Sequence, residues 1–199
     1  MGVLFSNFGV EYQQLSAWEA NLAQKKVGGV AARRLLLRNT LWPDLSEDLL
    51  WIRTEKVGFT TMPRVMPLLG RIIDQLSGKG APVYATYLAL WCRVFDEAFV
   101  EVRSTKELAF ESGFNGTRGE VTWKERMRRL QSIGLIDVKA GLINDFQYVL
   151  LLNPIIVVVR LFKENERDDR AFAALIARLI EIGADDVDVA MQLSSSAAE

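Results

Sequence analysis

The sequence contains no histidine and only one cysteine, Cys92. Without histidine there is no Ser–His triad, no histidine metal site and no imidazole to act as a general base near neutral pH. A single cysteine can form neither an internal disulfide nor a thiolate zinc site. Because Cys92 follows Trp91 in a strongly apolar stretch, we expect a buried, unreactive thiol rather than a nucleophile.

Long apolar runs and an excess of one charge are also missing. No stretch approaches the roughly 18 apolar residues that a membrane span needs. The first residues lack the basic segment and apolar run of a secretion signal. We therefore expect a cytoplasmic chain with no membrane partner. Lys and Arg number 24 against 25 Asp and Glu, so any contact with nucleic acid must come from a local basic cluster.

The acidic residues do not form a convincing catalytic or metal site. The pair Asp96–Glu97 is expected to make ion pairs, for instance between Asp96 and Arg93 or Arg103. The aspartates at 185–188 are expected to be a solvated chain segment. We therefore predict no catalytic residue, no metal and no cofactor, and we do not expect an enzyme.

Half of the residues are hydrophobic, which is enough to fill a sizeable core. The run Ile155–Val159 fits either a strand or a helix. Asp168 or Asp169 is expected to cap a last helix that Gly183 ends; the apolar face of this helix could close the core or form a dimer contact. Hydrophobic residues at helical spacing predict helices at about 11–26, 30–41, 61–77, 82–99 and 169–182. Thr61 can cap the third of these helices with Pro63 in its first turn, whereas Pro67 either kinks it or marks its true start.

Two capping boxes stand close together in the middle of the chain. Residues 104–107 (STKE) are expected to open a short helix that ends at Gly113, and residues 117–120 (TRGE) a longer one that ends at Gly134. Strand-like stretches lie before and after this helix pair, at residues 100–103, 135–139 and 146–152. The loop AGLIND, residues 140–145, joins the last two strands.

This order of elements carries a family resemblance. The runs LAFESGF (108–114) and TWKERMRRLQSIGLIDVKAG (122–141) resemble the winged helix-turn-helix family of DNA-binding domains. In that family the second helix of the motif turns on glycine into a hairpin, as the step IGLI at 133–136 does here. The resemblance covers about 70 residues and implies a mainly α fold with a small β-hairpin wing and additional N- and C-terminal helices.

The expected organisation follows from this resemblance. Residues 1–81 would form an N-terminal helical extension packed on the core, residues 82–153 the winged helix-turn-helix, and residues 154–199 a C-terminal helix and tail, in one compact unit. The phrases GFTTMPRVMPLL, TYLALWCRVFDEAF and YVLLLNP are similar to uncharacterised proteins of conjugative plasmids and integrated mobile elements. That likeness implies a part in plasmid or element maintenance, replication or gene control.

The resemblance also assigns the DNA contacts. In the family, the second helix of the motif enters the major groove. Helical spacing directs Trp123, Met127 and Leu130 inward and turns their basic neighbours outward. Arginine suits both guanine edges and phosphates. The candidate residues for binding double-stranded DNA are Arg118, Thr122, Lys124, Arg128 and Arg129.

Some residues oppose this assignment. Glu120 and Glu125 lie on the same helix, and the loop at 140–145 offers Leu142 and Ile143 instead of basic side chains. Basic and acidic residues nearly balance between 99 and 153, so we expect weak binding by a monomer and a homodimer as the effective form. The alternative is a protein–protein adaptor on a winged helix that does not bind DNA, docked through the apolar loop, with arginines that merely solvate the helix.

Overall fold

The structure is a computed structural model that describes residues 29–44, 46–55, 57–164, 169–186 and 188–189. The helix predicted at 11–26 lies outside these residues. The chain divides into two compact units, Met1–Val57 and Gly58–Glu199. Each is described by itself.

The first unit contains helix α1, Val30–Leu41, as predicted. It ends one residue before Trp42–Pro43, because a proline disfavours helical backbone in the residue that precedes it. Two short 3-10 turns follow, Glu47–Leu49 and Arg53–Glu55. Arg38 Nη2 lies 2.6 Å from Glu47 Oε1 and so joins the end of α1 to the first turn.

The second unit is mainly helical with a small antiparallel sheet, and the prediction of a mainly α chain is confirmed. Among the described residues, no helix has both the length and the apolar character to cross a membrane. The elements are α2 Met66–Leu76, α3 Tyr84–Trp91, β1 Phe99–Glu101, α4 Thr105–Glu111, α5 Gly119–Ile133, β2 Ile136–Lys139, β3 Tyr148–Leu151, α6 Pro154–Glu164 and α7 Arg170–Ile182.

Of the two starts that the sequence allows for α2, the one near Thr61 and Pro63 is wrong and the one at Pro67 is confirmed, since α2 starts at Met66 and has Pro67 in its first turn. A proline at that place loses no helical hydrogen bond, because the first N–H groups of a helix have no partner within it. Leu69 and Ile73 on the inner face of α2 are fully buried.

Helix α3 is much shorter than the predicted 82–99. Its amino end is capped from α2: Asp74 Oδ1 accepts from the backbone N–H groups of Val83 (2.7 Å) and Tyr84 (2.8 Å). Its carboxyl end comes at Trp91, and the chain then turns until Ala98, which has a φ of +54°. Sequence periodicity could not show this end, because Val94 and Phe95 continue the apolar helical spacing beyond Trp91.

The early end of α3 overturns two predictions. Cys92 is exposed, not buried, because it lies in the turn that follows the helix. The expected ion pair of Asp96 is also wrong. Arg93 instead contacts Glu111 on α4, and no described residue pairs with Asp96.

The sheet has the order β1-β3-β2, with both neighbours antiparallel to β3. Val149 at its centre pairs with Val100 on one side and with Val138 on the other. Val100 and Val149 are buried, so this face of the sheet closes the core. Strands β2 and β3 form a hairpin around residues 140–147.

The last two helices close the core from the other end. Asn153 Oδ1 accepts from the backbone N–H of Ile155 at 3.0 Å, and this cap makes the ambiguous run Ile155–Val159 part of a helix. Asp169 caps α7 and Gly183 ends it, as predicted. Leu175 is fully buried within this chain, so the apolar face of α7 serves the core.

Candidate functional site

The helix pair α4–α5 positions the predicted DNA contacts. Ser104 caps α4 as predicted: its Oγ accepts from the Glu107 backbone N–H at 3.2 Å. The second capping box is wrong. Helix α5 begins at Gly119, and its N-cap residue Arg118 makes no side-chain cap bond.

The start of α5 is determined by packing. A Cβ on Gly119 would lie 2.3 Å from the carbonyl oxygen of Phe114, so only glycine fits there. Glu120, which was expected to cap α5, instead accepts a hydrogen bond from Thr105 Oγ1 at 2.7 Å. This bond joins the first turns of α4 and α5. The carboxylate of Glu120 is thereby engaged within the protein.

The rotation of α5 about its own axis follows from its buried side chains. Trp123, Met127 and Leu130 have no exposed surface, as predicted. The Trp123 ring meets Phe146 edge-on, with 5.7 Å between ring centroids. Side chains advance by about 100° per residue around a helix, so these anchors determine which residues face solvent.

Three of the predicted contact residues lie fully on the outer side of α5. Arg118, Arg128 and Arg129 are exposed, whereas Thr122 and Lys124 are half-buried on opposite flanks. No acidic group among the described residues lies within ion-pair distance of these cations. The structure therefore places four of the five predicted residues on α5 and Arg118 at its N-cap. The Arg128 guanidinium also lies over the Phe146 ring, 5.9 Å from the ring centroid.

Arg126 belongs to the same site but was left out of the predicted contacts. It is half-buried, with Nη2 3.5 Å from the Gly80 carbonyl oxygen and its guanidinium 6.0 Å from the Phe114 ring centroid. Its Nε is buried and has no acceptor among the described residues. A charged donor that is buried without an acceptor is costly, so the positive charge of Arg126 on this side of α5 is not compensated within the described residues.

Arg126 lies at a shallow depression on the outer side of α5. The depression has a volume of about 510 Å³ and also contains the carboxylate of Glu125, which has no described cationic partner. Three guanidinium groups against one carboxylate leave the depression positively charged. Its lining residues are Ala81, Glu125, Arg126, Arg128, Arg129 and Ser132.

The β2–β3 loop is the second exposed feature beside α5. Asn144 Nδ2 donates to the Val102 carbonyl at 2.9 Å, and Asn144 Oδ1 accepts from the Phe146 N–H at 2.8 Å. Gln147 Oε1 crosses the loop so closely that a Cβ on Gly141 would lie 2.0 Å from it. These contacts of Asn144 and Gln147 hold the loop that carries the side chains at 142 and 143.

The loop tip, Leu142 and Ile143, is apolar and exposed: Leu142 is fully accessible and Ile143 is 62% exposed. Lys139, the nearest basic residue on β2, lies 3.9 Å from Asp137. Unlike α5, the loop presents no cation of its own at its end.

Comparison of the chain with protein-family models, curated proteins and solved structures gave no match. In the part of the chain that the structure describes, no group of three or more Cys, Asp or Glu side chains is arranged to hold a metal ion. The functional inference therefore comes from the geometry of α5 and the β2–β3 loop.

Proposed function

We propose that this chain is a winged helix-turn-helix protein that binds double-stranded DNA with the outer side of α5. The observation that carries the proposal is the set of exposed cations, Arg118, Arg128 and Arg129, without ion-pair partners among the described residues. Neither acidic residue of α5 holds these arginines in an ion pair: Glu120 accepts from Thr105, and Glu125 has no cationic partner among the described residues.

The arrangement of elements supports the same proposal. A helix, a short strand, a helix pair and a hairpin follow one another from α3 to β3, and β1 joins the hairpin at the edge of β3. Helix α5 has 15 residues, which at 1.5 Å per residue gives about 22 Å. That length can cross a major groove about 12 Å wide.

The arginines differ in their position along α5 and are therefore expected to contact different parts of the DNA. Arg118 stands at the amino end, where the family directs side chains to base edges. Arg128 and Arg129 stand in the second half, beside the depression that contains Arg126, where phosphates are the expected partners. Because Glu120 is bonded to Thr105, Glu125 is the acidic residue of α5 that opposes this contact.

The apolar loop limits the affinity of one copy. With no cation at the loop tip, α5 must neutralise most of the phosphates itself, and phosphate contacts dominate affinity. We propose that a homodimer doubles the contacts, and that the bound DNA serves the regulation, replication or maintenance of a plasmid or mobile element.

The test is a salt titration with a mixed pool of duplex DNA. Fluorescence anisotropy is measured for the unaltered chain and for Arg128→Ala with Arg129→Ala, between about 50 and 200 mM salt. Losing two phosphate contacts is expected to weaken binding and to reduce the slope of log K against log salt by about two.

The control variant is Arg71→Ala with Arg170→Ala, which removes the same charge from α2 and α7. It is expected to leave the slope within about half a unit of the original, because neither arginine belongs to the proposed face. Equal slopes for all three proteins would refute DNA binding through α5. Selection of bound sequences from the pool would then identify the target.

A second function is favoured by one observation, the exposed apolar tip Leu142–Ile143 on a hydrogen-bonded loop. An adaptor would bury these side chains against a protein partner. Leu142→Ser with Ile143→Ser separates the two functions. It should leave DNA binding unchanged if the loop only accompanies α5, and should abolish capture of the partner if the chain is an adaptor.

A further inference from the structure

A second surface of this chain lies away from α5, along the outer edge of β1. It is a groove of about 930 Å³ that is lined by residues 58–61, 92–97, 99–101 and 103. We call it the β1 groove. Phe95 and Phe99 line it, and Phe95 is 79% exposed. Phe95 and Phe99 together make this part of the groove apolar within a polar rim, and an exposed apolar patch of that kind marks an interaction site.

The backbone of β1 presents unused hydrogen-bonding groups to this groove. Ala98 accepts from Leu151 and Val102 donates to Gln147, each at 2.8 Å, so alternate residues of β1 face β3. In an antiparallel pair the intervening residues face away. These are Phe99 and Glu101, whose backbone groups have no partner among the described residues. The edge can therefore accept another strand.

The β1 groove carries a negative charge, because two of its acidic side chains have no ion-pair partner. Arg93 Nε donates to Glu111 at 3.0 Å, and this hydrogen bond raises the pKa of the Arg93 guanidinium above its ordinary value. Arg103 lies 2.9 Å from Glu101. Asp96 and Glu97, the acidic pair, have no cationic partner among the described residues.

We propose that the β1 groove binds an extended peptide segment of another protein, which adds as a strand to the outer edge of β1. The segment places an apolar side chain against Phe95 and Phe99 and a lysine or arginine beside the acidic pair. Strand addition of this kind takes affinity from main-chain hydrogen bonds and specificity from the alternate side chains. The proposal does not depend on DNA binding.

A second copy of this chain fits the groove poorly. A two-fold interface uses the same patch of both copies, and this patch offers no free cation to the acidic pair, because Arg93 and Arg103 already contact Glu111 and Glu101. A basic peptide supplies that cation.

The first experiment selects decapeptides from a random phage-displayed library against the full chain. Enriched peptides are expected to alternate apolar and basic residues. The consensus peptide is then synthesised in two further forms, with N-methyl groups on either the odd or the even residues. One of the two should lose at least about tenfold in affinity, because methylation removes the donors that pair with β1. Equal binding by all three forms would overturn strand addition.

Cys92 gives an independent report on the location. It is the single cysteine, it is exposed and it lines the β1 groove. Bound consensus peptide should slow its alkylation by iodoacetamide at least about fivefold, as expected when most sites are occupied. An unchanged alkylation rate at saturating peptide would show that the peptide binds elsewhere and would overturn the proposal.

The acidic pair is tested by charge reversal. Asp96→Lys with Glu97→Lys should weaken binding of the consensus peptide about tenfold or more. The same charge change away from the groove, Glu181→Lys with Asp185→Lys, should leave it unchanged. A peptide with glutamate in place of its basic residues should bind the reversed variant. This rescue would show that the variant is folded, because a misfolded chain would bind neither peptide.

Two outcomes would refute the assignment of a basic peptide. One is enrichment of peptides without basic residues, which would show that the acidic pair takes no part. The other is concentration-dependent sedimentation of the chain alone that disappears in the Asp96→Lys, Glu97→Lys variant, which would identify a second copy as the occupant.

Discussion

Helix α5 and the β2–β3 loop are both exposed, but they are held in different ways and carry different chemistry. Helix α5 is anchored by three fully buried apolar side chains and turns arginines to solvent. The loop is anchored by the amide side chains of Asn144 and Gln147 and turns Leu142 and Ile143 to solvent. One surface is suited to an anion and the other to an apolar partner.

The difference shows that two neighbouring surfaces can serve different ligands. Binding to α5 should weaken as salt rises, because its contacts are electrostatic. Binding to the loop tip should be nearly insensitive to salt, because it would bury apolar area. The side chains that anchor each region also predict how that region responds to substitution.

The largest effect is expected at the apolar anchor of α5. Trp123→Ala would remove a fully buried indole and leave a cavity between α5 and Phe146. We expect a loss of about 3–5 kcal/mol in the free energy of unfolding, measured by urea denaturation. Val121→Ala, on the exposed side of the same helix, should change it by no more than about 0.5 kcal/mol. A loss below about 1 kcal/mol at Trp123 would contradict the packing described here.

A smaller effect is expected at the polar anchor of the loop. Asn144→Ala leaves the Val102 carbonyl and the Phe146 N–H without their present partners. The expected loss is about 1–3 kcal/mol, with faster amide hydrogen exchange at Phe146. Asp145→Ala, at an exposed neighbouring position, is the control. If both variants were equally stable, the loop would not be held by its amide side chain.

The smallest effect is expected at the starts of α4 and α5. Ser104→Ala removes a side-chain cap and should cost about 1 kcal/mol of unfolding free energy. Thr117→Ala should cost less than about 0.5 kcal/mol, because Thr117 makes no cap bond and α5 begins at Gly119. Thermal unfolding followed by circular dichroism measures both. A larger loss at Thr117 than at Ser104 would restore the capping box that the sequence pattern predicted.

Local signals predicted much of the fold. Helix α1, the Ser104 cap, the inward side of α5 and the ends of α7 were all read correctly, because each depends on residues within one or two turns. The second capping box failed for the opposite reason. Gly119 packs against Phe114, and Glu120 bonds to Thr105 on another helix. Such contacts across elements leave no periodic trace in the sequence.

The sequence likewise predicted only part of the candidate site. Helical spacing turned Arg128 and Arg129 outward and put Arg126 on a flank, as the structure has them. It could not show the contacts of Arg126 with Gly80, in a turn distant in sequence, and with Phe114, in the loop between α4 and α5. The β1 groove was not predicted, since it depends on the early end of α3 and on which side of β1 pairs with β3.

The cap that Asp74 supplies has a consequence for shortening this protein. A fragment that began at Pro82 would retain α5 and the sheet but would lose the carboxylate bonded to the N–H groups of Val83 and Tyr84. It would also lose the apolar side of α2. Helix α3, which precedes the pair α4–α5, is thus completed by residues upstream of it, and a fragment that keeps this cap and the buried side of α2 has to reach back to Val65.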